Sequence, residues 1–221
     1  MNILIRRAPA SPESAGHWDG PVWSGAPVVE IENFRPESSD HRPHAQARLL
    51  YDTRRVYGIF RVDDRYVRCV TTEWQGPVWR DSCVEFFVQP KIDAGYFNFE
   101  MNCGGALLCH YKRVSDQGSP RESSRVVLSP AECAQVRIFH SLPSVVEPEI
   151  GQPITWVLEF SFPISLLEAY VGPLGNPSGQ VWRGNLYKCA DGTSHPHWAS
   201  WSPVDELNFH LPRCFGDLAF E

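Results

Sequence analysis

Apolar and polar residues alternate with a period of two over much of the chain, and few stretches repeat at the spacing of an amphipathic helix. Ala47, Leu49 and Tyr51 alternate with polar neighbours, and the run Val56–Val62 follows after a turn over 52–55; the pair predicts a hairpin. Short strands are predicted over 66–71, 83–89, 96–102 and 106–112, the last three consecutive and antiparallel. Further strands follow over 135–140, 154–162, 181–190 and 215–220. Pro (19 residues) and Gly (16) fall between these runs and cut the chain into short pieces. The one helix expected is a turn or two over 164–170, after Pro163. Residues 113–130, rich in Ser and Arg, and 141–153, rich in Pro and Glu, read as long loops flanking a strand. No internal repeat or shift in composition marks a boundary. The fold class expected is all-β, an antiparallel jelly-roll-like β-sandwich with at most one or two short helices, with residues 1–221 as one domain.

Composition narrows the function. The net charge of −6 comes with no basic run, which excludes the Lys/Arg footprint of a nucleic-acid partner. No run of about 18 apolar residues is present to span a membrane. The apolar piece after Met1 is too short for a secretory leader, so a cytoplasmic location is expected. The 7 cysteines include no CxxC pair and read as small buried hydrophobes rather than a zinc ribbon or a disulfide framework. The 8 tryptophans matter more, because some lie in polar, Pro- and Ser-rich sequence where no core needs them. Aromatic rings in such places form flat binding surfaces.

The chemistry concentrates in three stretches. From Cys83, one strand face carries Val84, Phe86 and Val88, a core pattern; the other carries Cys83, Glu85 and Phe87. Extending the strand backward adds Asp81 and Trp79 to the Glu85 side. On the next strand Phe97, Phe99 and Met101 oppose Asn98, Glu100 and Asn102. Near the C-terminus Arg183, Asn185 and Tyr187 share a face, and Trp198 and Trp201 follow in a polar segment. Indole rings beside carboxylates and amides suit a sugar, whose C–H faces stack on a ring while its hydroxyls need partners of fixed geometry.

These residues, with Trp18-Asp19-Gly20-Pro21-Val22-Trp23, the Leu50–Tyr57 hairpin, Val62-Asp63-Asp64, Ser200-Trp201-Ser202-Pro203 and Phe215-Gly216-Asp217-Leu218, resemble the family 9 carbohydrate-binding modules and their DOMON-like relatives. The resemblance implies a non-catalytic β-sandwich that grips a gluco- or xylo-oligosaccharide, or the end of a cellulose or xylan chain, between two Trp rings. It implies Trp79 as one ring, Glu85 as the acidic acceptor and Asn102 as a polar contact. Trp201, or else Trp198, becomes the second ring, and Asn185 a further contact. Glu100 stands where the family pattern has an Arg, which reverses a charge in the groove. Related modules carry structural calcium, for which Asp52, Asp63 and Asp64 would be the oxygen ligands; no other cofactor is expected.

Three rival readings remain open. A glycoside hydrolase would draw a carboxyl pair from Asp81, Glu85 and Glu100. A haem carrier would need Met101 as an axial ligand, although its strand face puts it in the core. A metal site could use His195, His197 and Cys189.

Overall fold

The computed structural model describes residues 1–113 and 125–221. Its first half runs through β1 (Asn2–Arg7), β2 (Val29–Ile31), β3 (Asn33–Phe34), β4 (His44–Tyr51), β5 (Arg55–Asp64), β6 (Val67–Cys69), β7 (Cys83–Gln89), β8 (Tyr96–Asn102) and β9 (Leu107–Lys112). The second half holds β10 (Arg125–Val127), helix α1 (Pro130–Cys133), β11 (Arg137–His140), β12 (Val146–Ile150), β13 (Ile154–Pro163), helix α2 (Ile164–Val171), β14 (Val181–Cys189), β15 (Trp198–Ser200) and β16 (Gly216–Phe220). The protein is thus mostly β, with a large curled sheet and two short helices.

The strands form two layers. The first has the order β10-β9-β8-β7-β14-β16-β1, and the second β1-β4-β5-β13-β11, so β1 belongs to both. β1 runs parallel to β16 and to β4, a departure from the antiparallel pattern found elsewhere in both layers. Between the layers lies an aromatic core. Phe99 of β8 stacks on Phe162 of β13 with ring centroids 4.4 Å apart, and Phe86 of β7 meets Phe160 at 5.9 Å. Phe86, Phe99, Met101, Phe160 and Phe162 are all essentially inaccessible. Burial of such side chains stabilises by roughly 1.5–3 kcal/mol each.

The strands with clean alternation lie where the pattern predicts, and β7 and β8 coincide with it residue for residue. The two expected loops differ. Within 113–130, residues 114–124 lie outside the described set, and the remainder holds β10 and α1. That helix begins at a capping box: Ser129 Oγ accepts from the Glu132 amide and the Glu132 carboxylate accepts from the Ser129 amide, with Pro130 at the first helical position. Within 141–153, β12 pairs with β6 as a separate ribbon. Glu147 and Pro148 point to solvent there, so no apolar alternation betrays the strand.

Candidate functional site

The outer face of the first layer carries the residues that alternate with the core. On the β7–β8 hairpin, Cys83 faces Asn102, Glu85 faces Glu100 and Phe87 faces Asn98. Across β7 on the other side, Tyr187 of β14 lies opposite Glu85 and Cys189 opposite Cys83. Part of this face is roofed by the segment 204–215. Phe209 stacks on Tyr187 with centroids 4.0 Å apart, and Phe215 and His210 pack on Phe87 and Tyr96. The rest is open and forms a cavity of about 530 Å³. That is within the range of small-molecule sites.

The cavity floor is acidic and amidic. Glu85, Glu100, Asn98 and Cys189 line it, and all are buried with respect to bulk solvent. Asn98 Nδ2 donates to Glu100 Oε1 at 2.7 Å, and the Cys189 thiol donates to Glu85 Oε1 at 3.2 Å. Like charges directly opposite on neighbouring strands repel, and a buried carboxylate is costly. Burial first, then the neighbouring Cys189 and Glu100, hold the Glu85 carboxyl well above the usual range. Burial raises Glu100 to about 7 against the opposing hydrogen bond from Asn98. The pair therefore retains a proton at neutral pH.

The walls are aromatic. Trp79 does not continue strand β7 backward, as the alternation suggested; it sits in a 3-10 turn over Val78–Arg80 that holds its ring at the cavity, 39% exposed. Asp81 is consequently not on the open face but wholly buried, accepting from the amides of Val70 and Thr71 and from Asn102 Nδ2. Trp198 is the second indole at the cavity. Its Nε1 donates to Asp191 Oδ1 at 2.7 Å, and the Asp191 amide donates to the Trp79 carbonyl, so one residue ties both walls together. Gly192 permits this approach, since a Cβ there would lie 2.7 Å from the Arg80 carbonyl oxygen.

The remaining expected site residues lie elsewhere. Trp201 is packed in the core and faces a different depression beside β1, so of the two tryptophans Trp198 is the one that borders this cavity. Asn185 is fully buried, donating to the Ser202 carbonyl and accepting from the Ser202 and Leu186 amides. Asn102 is equally spent: Nδ2 donates to Asp81 and to the Thr71 carbonyl, and Oδ1 accepts from the Ala106 amide. Both amides brace loops around the site and do not line the cavity. The three aspartates do not converge. Asp52 caps the turn at one end of the β4–β5 hairpin, accepting from the Arg54 and Arg55 amides, whereas Asp63 and Asp64 end β5. Asp63 accepts from Thr155 and Arg61. Asp64 is buried against His41, Trp156 and the Lys188 ammonium. His197 and Cys189 likewise point to opposite faces of β14, His197 toward Lys188 and Cys189 toward Glu85. Met101 is buried in the core.

Several further cavity residues are not among the expected site residues, although period two puts Leu108, His110 and Lys112 on one face of the strand expected over 106–112. Leu108, His110 and Lys112 come from β9, Arg125 and Val127 from β10, and Leu207 to His210 from the roof. Burial, then the nearby Arg125 and Lys112, depress His110 to about 4; burial with Lys112, His110 and Arg125 depresses His210 to about 3. Both rings are therefore neutral at pH 7.

A family model described as carbohydrate-binding family 9 matches residues 24–220. The chain belongs to carbohydrate-binding family 9. A structure from Bacteroides uniformis, described as a carbohydrate-binding protein, is 30% identical over 100% of this chain and 99% of its own, with a TM-score of 0.86. A family 9 module from Caldicellulosiruptor kristjanssonii in complex with glucose aligns over 100% of this chain and 96% of its own at 12% identity, TM-score 0.67. The same organism's family 9 module with cellotriose gives 0.68 at 12% identity, over 100% and 94%. At that identity these two share the fold with this family 9 chain. A search of curated protein sequences finds no significant match.

Proposed function

We propose that this family 9 chain binds a saccharide, without turning it over, in the cavity between Trp79 and Trp198. One observation carries the reading: two indole rings border the same cavity as two buried glutamates that face each other on adjacent strands and a buried amide. Among the described residues, Asn98 Oδ1 has no hydrogen-bond partner. A buried acceptor left unpaired costs about 1–3 kcal/mol, and a sugar hydroxyl would satisfy it. The glutamates then serve as hydroxyl partners, the protonated one donating and the ionised one accepting. Glu85 and Glu100 stand directly opposite each other on adjacent strands and project to one side of the sheet. That arrangement suits one proton shared over a ligand and gives no separate acid on the far side of a scissile bond. The glucose and cellotriose complexes of the Caldicellulosiruptor modules support a glucan-like ligand as the first to try.

Titration with cellotriose, xylotriose and their longer homologues, followed by Trp fluorescence and calorimetry, tests this. Trp79→Ala is expected to lower affinity at least tenfold, the value of about 1.4 kcal/mol of lost stacking, with an unchanged circular dichroism spectrum. Unaltered affinity in that variant removes Trp79 from the site. Hydrolysis of an aryl glycoside that disappears in Glu85→Gln would assign catalysis instead.

A further inference from the structure

The cavity is electrically divided along the strands. One ladder step holds Tyr187, Glu85, Glu100 and Leu108; the middle step holds Phe87, Asn98, His110 and Val127. The far step brings Tyr96, Lys112 and Arg125 side by side. From Glu100 to Tyr96 the strand advances four residues, about 13 Å. The acidic floor beside the tryptophans is therefore separated from a basic end by more than one pyranose ring.

That basic end is unusual for a sheet. Lys112 and Arg125 are directly opposite each other on antiparallel strands, a destabilising like-charge pair. Among the described residues no carboxylate lies within ion-pair distance of either. His110 and His210 border the same end and offer ring nitrogens. His210 Nδ1 is already engaged with the Tyr96 hydroxyl at 3.1 Å. Two cations held together at the rim of a cavity, with no carboxylate among the described residues within ion-pair distance, are complementary to an anion.

We infer that the saccharide taken by this cavity carries an anionic substituent, a carboxylate or an ester sulfate, on a sugar unit beyond the one held at Trp79 and Trp198, where Lys112 and Arg125 receive it. The inference rests on the saccharide reading and specifies its ligand class. Charge away from the indole-held unit follows from the spacing: an acid on the ring over Glu85 and Glu100 would meet a carboxyl pair, whereas an acid on a unit at the far step meets two cations. The neutral sugar face stays with the indoles, and the charge only adds to it.

Calorimetry on the intact chain with matched oligosaccharides decides the matter. The probes are xylotriose with and without a glucuronate branch, trigalacturonate with its carboxyl-reduced counterpart, and a sulfated galactan tetrasaccharide with its desulfated parent. At least one acidic member is expected to bind about tenfold more tightly than its neutral partner, the size of one charge-assisted hydrogen bond. Whether the carboxylated or the sulfated member leads identifies the anion. The advantage should shrink in about 0.5 M NaCl and vanish in Lys112→Met/Arg125→Met, in which the acidic and neutral members of each pair should bind within twofold of one another. Equal or weaker binding of every acidic member, or an advantage that survives in the double variant, overturns the inference and leaves the saccharide reading standing. Absence of binding to every member, neutral ones included, overturns both.

Discussion

At the scale of single residues, the cross-strand glutamates dominate the behaviour of the site. Glu100 keeps its proton in the folded chain until about pH 7 but releases it near 4.5 once unfolded. Between those values the folded state binds more protons, so this group's contribution to stability falls as pH rises through the window and is constant above it. Replacing it by Gln removes that dependence. Glu100→Gln should therefore gain about 2–3 kcal/mol over the native chain between pH 5 and pH 8. Urea unfolding of both chains at the two pH values measures the difference; a difference independent of pH would mean that Glu100 ionises normally. Taking the difference between two chains removes the buried histidines, which act with the opposite sign. His110 and His210 are neutral in the fold down to about 4 and about 3, so their contribution is lost as pH falls below 6.5.

At the scale of elements, the site depends on turns and loops hung from a rigid hairpin. The alternation in 83–89 and 96–102 was enough to place Glu85, Asn98 and Glu100 on one face, because side chains on a strand have no other choice. It also put Asn102 on that face, correctly, yet its use is internal. The chain turns over at Val78–Arg80 and folds Asp81 beneath the strand ends, where Asn102 is its partner. Asn102→Ala leaves Asp81 and the Ala106 amide short of partners and should cost about 2–4 kcal/mol. Because Asp81 is two residues from Trp79, the same change should weaken saccharide binding severalfold. Urea unfolding and calorimetry read the two effects, and full affinity in a destabilised variant would separate the brace from the indole. The roof over 204–215 escaped the sequence reading because its Phe209 and His210 sit among polar and Pro residues with no period. Their purpose is apparent only once Tyr187 and Phe87 lie beneath them.

At the scale of the whole molecule, a buried ionic node joins the layers. Lys188 of β14, with no exposed surface, lies 3.5 Å from Asp64 of β5 and 2.8 Å from His197. Asp64 also accepts from Trp156 of β13 at 3.2 Å and bonds His41 at 2.8 Å. Burial opposes the Asp64 charge, but Lys188, His41 and His197 together hold its carboxyl well below the usual range. The carboxylate that sequence offered as a calcium ligand thus has an internal cation of its own. Lys188→Met strands that charge and should destabilise by about 3–5 kcal/mol, and Lys188→Met/Asp64→Asn should recover part of the loss. Thermal unfolding of the three chains checks this; additive losses would mean the two groups are uncoupled.

What the sequence determined alone was local: strand periodicity, the β7–β8 face pairing, the short helix after Pro163, and a family pattern carried by dispersed motifs. The strand and helix readings depend on neighbours within a few residues, for which steric rules leave one answer, and the family pattern depends on the order of short motifs along the chain. Only the tertiary structure put Trp198 rather than Trp201 at the cavity, gave the Asn102 and Asn185 side chains internal hydrogen-bond partners, and set Lys112 against Arg125. Those outcomes depend on which strands become neighbours and which face a distant loop covers. Contacts across a hundred residues leave no period in the chain that makes them.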